Sequence, residues 1–233
     1  MSDDHKMGHL LLLGWLVQRL VAPTVSAWDS LYNLYLIFGV SAGTFVIGWM
    51  VYNVVRYRAK EPVRPGPLEG RNERHSNRGA VLTAALTSTI LLIAAIASFQ
   101  VIGFYYNPPL NTPHMEITVH AFQWGWNFTY PDGYSTLDAL YVPVNTTIIL
   151  NVTSIDVFHS LGIPMFRVKA DAIPGQWNML WFSATQVGNF TEAIRCYELC
   201  GVGHADMVAN LYVLGQPAFS SWYSEHGGKP NGA

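Results

Sequence analysis

The chain has 233 residues, half of them apolar and only 12% charged, with a formal net charge of −2. A soluble domain carries about 25% charged residues, so the composition points away from an ordinary soluble protein, and the small negative charge gives nucleic acid nothing to bind. The charges are unevenly spread. Arg56, Arg58, Lys60, Arg64, Arg71, Arg74 and Arg78 make up seven of the thirteen basic residues, whereas from Asn107 onward four basic residues stand against nine acids.

Residues 1–29 form an N-terminal segment. Its apolar run "HLLLLGWLVQRL" (9–20) is too short to span a bilayer and is read as an interfacial helix. A signal-peptide core with "VSA" as its cleavage site is the alternative, disfavoured by Asp3 and Asp4.

Residues 30–106 are expected to form a transmembrane hairpin. Ser30–Val55 and Gly79–Tyr106 hold no charged side chain, and each has 26 residues or more. About 20 suffice to cross the hydrocarbon core. Gly39, Ser41, Gly43 and Gly48 punctuate the first run, which suits close helix contact in lipid; Phe99, Phe104, Tyr105 and Tyr106 gather at the exit of the second, as at a membrane–water interface. The basic loop 56–78 contains Pro62, Pro65, Gly66 and Pro67 and is expected to be irregular. Its charge assigns it to the cytoplasm, which leaves both termini outside in a multi-pass cell-membrane protein.

Residues 107–216 are then an extracytoplasmic domain, and they read as β structure. "EITVHAFQWGWNFTY" (116–130) alternates, which predicts one strand with His120, Phe122, Trp124, Trp126, Phe128 and Tyr130 on a single face. "TTIILNVTS" and "MVANLYVL" are further strands, and "PDG", "IPG" and "VGN" are turns. Short strands at this spacing predict a β-sandwich or barrel. Four Asn-x-Ser/Thr sequons, at Asn127, Asn145, Asn151 and Asn189, fall in this domain. Residues 217–233 are a C-terminal tail.

The run "RCYELCGVGHADM" (195–207) contains both cysteines of the chain. Cys196 and Cys200, with His204 and Met207 behind them, admit three readings. A disulfide is one, though its small loop would add little stability. Zinc is a second, but a thioether is a poor zinc ligand. Copper is the third: thiolates, imidazoles and a weak axial thioether make up copper electron-transfer sites. Such a site takes another histidine from a neighbouring strand, and "SIDVFHSLGIP" supplies His159, 37 residues before Cys196. A mononuclear blue-copper site uses one thiolate. Two thiolates can bridge two copper ions, one histidine capping each, with Met207 and the carbonyl of Glu198 as weak donors. Sharing the charge over both ions keeps reorganisation on reduction small.

This run, together with "DVFHS" (156–160), "KADAIPG" (169–175) and "QWGW" (123–126), resembles subunit II of the haem–copper cytochrome c oxidases over about residues 30–215. The resemblance implies a two-helix transmembrane hairpin followed by a cupredoxin-like Greek-key β-sandwich or barrel. It implies a dinuclear copper centre held by His159, Cys196, Glu198, Cys200, His204 and Met207. It further implies a magnesium ion on the Glu198 side chain at the contact with subunit I, and electron uptake through Trp124. Asp156 and Asp171 match acids near the site, as loop anchors or as part of a negative docking surface. Gly125 stands where the family has tyrosine, Leu161 where it has tryptophan, and Val81 where the second helix often carries a proton-channel glutamate.

The implied function is the electron-accepting subunit of a membrane terminal oxidase, an oxidoreductase and translocase only as part of its complex. Its partners are subunit I and the other oxidase subunits, lipid, and a cytochrome c or blue-copper donor. The chain has no C-x-x-C-H haem motif, and oxygen chemistry belongs to subunit I. The alternatives are the copper subunit of a nitric oxide reductase and a membrane-anchored copper carrier. A quinol-oxidase subunit is disfavoured by the intact ligand set.

Overall fold

The computed structural model describes residues 22–58 and 77–227. The interfacial-helix reading of residues 9–20, most of the basic loop, and the last six residues lie outside this set. The chain divides into two units, Asp29–Gln100 and the remainder.

The first unit is built on two long helices, α1 (Pro23–Arg56) and α2 (Arg78–Tyr106). The start of α1 lies earlier than the charge-free run suggests. Pro23 suits a first helical turn, where its missing N–H costs nothing, and "VSA" and Asp29 lie within the helix. Both helices are long and apolar enough to cross a membrane, and their side chains are almost wholly exposed. Soluble proteins do not leave apolar faces of this extent to water. Hydroxyls within α2 bond back to their own helix, as Thr83 to the Gly79 carbonyl, Thr87 to Thr83 and Thr89 to Ala85, which satisfies them where no water is present. The Tyr35 and Ser98 hydroxyls meet at 2.8 Å and link the helices. Gly39, Gly43 and Gly48 have open space where a Cβ would lie, so they do not serve the contact between α1 and α2.

Among the described residues, the second unit holds ten strands in two five-stranded sheets. Their ranges are β1 His114–Phe122, β2 Gly125–Thr129, β3 Ser135–Leu137, β4 Ala139–Pro143, β5 Thr147–Ser154, β6 His159–Ile163, β7 Val168–Ala172, β8 Asn178–Ser183, β9 Gly188–Cys196 and β10 Val208–Leu214. One sheet runs β3-β2-β1-β5-β8 and the other β4-β10-β9-β6-β7. The chain switches sheet at β4, β5, β6, β8 and β9, the Greek-key alternation of a cupredoxin-like sandwich. Between the sheets lie Ile117, Val119, Trp126, Phe128, Leu150 and Phe182 from one side and Leu140, Leu161, Ile163, Ile194, Leu211 and Val213 from the other, all fully buried.

The stretch 116–130 is not one strand. It is the hairpin β1–β2, turning at Gln123 and Trp124 with Phe122 opposite Gly125 and Ala121 opposite Trp126. Opposed residues share a face, so the inward set changes parity at the turn: Ile117, Val119 and Ala121 before it, Trp126, Phe128 and Tyr130 after it. His120 and Phe122 therefore lie on the outer face, opposite to the single-strand reading, and Trp124 sits in the turn. The Phe122 ring lies over Gly125, where a Cβ would come within 2.7 Å of the ring tip and push it aside.

The tail contains a third helix, α3 (Gln216–Glu225), opened by Pro217 near its first turn. Phe219 and Tyr223, one turn apart, are buried. Trp222 stacks on Tyr141 at 4.4 Å, and Tyr141 stacks on Tyr212 at 4.6 Å. The Tyr223 hydroxyl donates to Asp132, and burial together with that carboxylate pushes the phenol up to about 12. Of the four sequons, Asn145 and Asn189 are exposed, while Asn127 and Asn151 are half-buried in strands.

Candidate metal centre

The site is built at one end of the β6–β9–β10 part of a single sheet. β9 ends at Cys196, which lies opposite Leu161 of β6, and β6 begins with the fully buried His159. The loop from Cys196 returns through a 3-10 turn, His204–Asp206, to the fully buried Met207 at the head of β10. Two backbone bonds close it: the Cys196 N–H donates to the Met207 carbonyl, and the Tyr197 N–H to the Ser160 carbonyl. Pairing within the sheet thus brings a distant histidine to the sulfur loop.

Both cysteines are free and buried, with their sulfurs 3.8 Å apart. A disulfide needs about 2.05 Å, so the disulfide reading does not describe this state. The ligand atoms of His159, Cys196 and Cys200 all lie within 4.8 Å of one another. Each sulfur has its own imidazole: His159 Nδ1 is 3.9 Å from Cys196 Sγ, and His204 Nδ1 is 3.6 Å from Cys200 Sγ. The Met207 thioether is 3.7 Å from Cys200 Sγ, and the Cys196 thiol donates to the Glu198 carbonyl at 3.2 Å. All six residues singled out in the sequence are therefore in one place. The Glu198 carboxylate is bonded by no described side chain.

Second partners fix the donors. His159 Nε2 is 2.8 Å from Asp156 Oδ1, which leaves Nδ1 directed at the sulfurs. This is the carboxylate–histidine arrangement that orients metal-binding imidazoles. Partial burial works against the ionised Asp156, but bonds from His159, the Val157 and Gln123 N–H groups and Ser154 outweigh it and hold the carboxyl below its usual range. Trp126 packs edge-on against the His159 ring at 6.3 Å. Burial, and then Cys196, push the Cys200 thiol up to about 12, so that thiol keeps its proton in the absence of metal. A bound metal would replace it.

Trp124 is half-exposed, not packed in the core. Its indole N–H donates to the Cys200 carbonyl at 3.2 Å, and the side-chain amide of Gln123 donates to the same oxygen at 2.7 Å. Gln123 was not legible as a site residue, although it precedes Trp124 in "QWGW". The ring rests on loop glycines. A Cβ on Gly203 would meet it at 2.5 Å and one on Gly201 at 3.2 Å, and Gly201 also has a φ of +118°. Asp171 lies further off, accepting from Ser160 at 2.8 Å and from Lys169 at 3.1 Å.

The donors fit copper. Two adjacent thiols, an imidazole beside each, a thioether and a carbonyl form a soft set that disfavours magnesium, calcium or manganese. An apolar helix pair followed by a cupredoxin-like domain whose sulfur–imidazole loop forms a candidate soft-metal site defines the class.

Comparison with known proteins narrows the class. A family model described as cytochrome c oxidase subunit II, periplasmic domain, matches residues 135–212. The heme-copper oxidase subunit 2 of Aeropyrum pernix is 31% identical over 219 residues, covering 88% of this chain and 92% of that protein. The cytochrome c oxidase subunit 2 of Cereibacter sphaeroides is 26% identical over 247 residues, covering 89% and 78%. Among solved structures, the periplasmic domain of subunit II of cytochrome oxidase of Bradyrhizobium japonicum is 33% identical, covering 48% of this chain and 93% of that one, with a TM-score of 0.46. The chain belongs to the subunit II family of the haem–copper oxidases. It is accordingly a membrane protein and one subunit of an oxidoreductase complex.

Proposed function

We propose that this chain is the electron-accepting subunit of a terminal oxidase. A donor outside the membrane, a cytochrome c or a blue-copper protein, delivers single electrons to a dinuclear copper centre in the outer domain. Haem in subunit I receives them, and oxygen is reduced there to water with proton pumping. The observation that carries this reading is the pair of free, buried thiols 3.8 Å apart, each beside a different imidazole. A mononuclear blue-copper site uses a single thiolate, so the second sulfur favours a pair of ions.

Cys196, Cys200, His159 and His204 would hold the ions as thiolate and imidazole donors, and Met207 and the Glu198 carbonyl would be the weak donors. When bound, the copper pair supplies a one-electron relay whose charge is spread through two sulfurs. The protein's own part is to hold these donors with little freedom. Asp156 fixes the His159 ring, the Cys196–Met207 backbone bond fixes the loop ends, and burial keeps water from the sulfurs. Trp124 offers a ring at the surface that is bonded directly to the Cys200 backbone. The Glu198 carboxylate, with no described partner, is assigned to a magnesium ion shared with subunit I. Gly39 and Gly43, one helical turn apart and facing open space, suit a helix of that partner. The basic segment 56–78 is assigned to the cytoplasmic side.

The test is copper loading of the full chain in detergent. Two coppers per chain with a purple mixed-valence spectrum and seven-line hyperfine structure are expected. A single colourless Cu(I) would make the chain a copper carrier instead. Reconstitution with the catalytic subunit, assayed with oxygen and with nitric oxide, separates the terminal oxidase from a nitric oxide reductase.

A further inference from the structure

The turn that carries Trp124 lies beside an apolar surface that the metal site does not explain. Leu137 is 63% exposed, Ile155 67%, Trp177 59% and Trp124 40%. Single exposed apolar residues are ordinary, but Leu137 and Ile155 share one depression, Trp177 adjoins it through His120, and Trp124 sits in the turn that follows Phe122. Phe122, Leu137 and Ile155 line one shallow depression with His120 and Asn127, and the His120 ring meets Trp177 edge-on at 5.6 Å. β3 is an edge strand, where an outward charge is the usual protection, and Leu137 is outward there instead.

The charges nearby are occupied. Asp156 is flanked by the exposed Ile155 and Val157, but its carboxylate accepts the backbone N–H groups of Gln123 and Val157 and meets His159 Nε2. Asp138 accepts the Trp126 N–H. The acids left at the rim are on the sulfur loop, Glu198 and Asp206. The face around Trp124 therefore offers aromatic and aliphatic area with little free charge, the composition of an interface core.

Resting on the electron-accepting function proposed above, we infer that this face docks a soluble one-electron donor whose cofactor edge is ringed by apolar side chains, not by lysines. Trp124 is the point where this face meets the metal loop, because its exposed ring bonds the Cys200 carbonyl, as the neighbouring Gln123 amide also does. Phe122, Leu137, Ile155 and Trp177 supply the contact area. Association at such a face gains little from long-range attraction, so its rate is nearly independent of salt.

The experiment uses the full chain in detergent, loaded with copper, and two reduced donors in stopped flow. One is azurin, a blue-copper protein with an apolar patch over its metal; the other is a mitochondrial-type cytochrome c with its ring of lysines. Azurin is expected to react faster, its rate changing less than about twofold between about 10 and about 200 mM salt, a range over which the Debye length falls several-fold. The double variant Leu137→Ser with Ile155→Ser should slow azurin by about tenfold or more, the effect of removing roughly one buried aliphatic side chain. Its copper spectrum should be unchanged. Leu137→Asp with Ile155→Glu should raise the rate with cytochrome c and make it salt-dependent.

A wild-type reaction that is faster with cytochrome c and falls steeply with salt would overturn the inference. So would an unchanged azurin rate in the serine variant. Ascorbate separates this failure from a deeper one. Its reduction of the bound copper alongside either result removes the docking surface alone, whereas copper that ascorbate cannot reduce removes the electron-accepting function and the docking surface together.

Discussion

The indole N–H of Trp124 donates to the carbonyl oxygen of Cys200 at 3.2 Å, joining a surface ring to the backbone of a buried cysteine. The contact depends on the absence of a side chain beneath the ring. Gly203 has an ordinary backbone conformation, φ −90° and ψ 11°, which alanine adopts without strain. Its missing Cβ is nevertheless required, since one there would meet the indole at 2.5 Å.

Gly203→Ala should therefore displace the ring without unfolding the loop. Electron uptake from a protein donor should slow by about tenfold or more, given how steeply positioning errors of about 1 Å are felt. Copper content and spectrum should stay as in the wild type. Stopped-flow reduction beside a copper assay checks this, and an unchanged rate would remove Trp124 as the doorway.

The sulfur donors should separate by role. Cys196→Ser or Cys200→Ser should abolish the two-copper spectrum, because neither sulfur has a substitute within reach. Met207→Leu nearly conserves volume in a fully buried position and should cost less than about 1.5 kcal/mol of stability. It should retain both coppers and shift the reduction potential, since an axial thioether tunes more than it holds. Redox titration of the loaded variant measures the shift.

Asp156→Asn tests the orientation of His159. Asparagine can accept from Nε2 but carries no charge, and it loses the bonds specific to a carboxylate. Copper affinity should fall by about 10- to 100-fold, the usual effect of losing such a partner. Competition with a chelator of known affinity reads it directly. Equal affinity in the variant would make Asp156 a loop anchor only.

Acid should weaken the outer domain through Asp171. The Ser160 hydroxyl holds its carboxyl below the usual range, burial opposes this, and Lys169 adds to the lowering. The folded value thus lies below the unfolded one of about 3.9. The contribution is complete above that pH and is lost as the pH falls through the lowered folded value. The urea midpoint of the full chain should drop between about pH 5 and about pH 3, and Asp171→Asn should flatten that drop. An equal drop in the variant would assign the effect to other carboxylates.

The legible parts of this molecule are those where one local signal fixes the outcome. Uninterrupted apolar runs have no state in water except helices that lipid or partners cover, so both spans are readable, and only the start of α1 at Pro23 is missed. The Cys196–Met207 spacing is readable because few ligands need two sulfurs, an imidazole and a thioether on one turn. The break at Gln123–Trp124 is not, since both halves of the hairpin keep a period of two and only pairing reveals the change of parity. Whether Asp156 faces His159 or solvent likewise depends on a loop that the sequence does not orient. The helix Gln216–Glu225 carried a signal that passed unread, in Pro217 and the Phe219–Tyr223 spacing.

Every proposed copper donor lies on β6, β9, β10 or the loop joining the last two, all within one sheet, whereas Gln123 and Trp124 arrive on the hairpin of the other. The cradle and its doorway are thus mounted on different walls of the sandwich. Mutations that let the walls slide past each other would leave a chain that still colours with copper yet conducts poorly. On the proposed function, spectroscopic integrity and conductance would be separately inheritable properties of this domain.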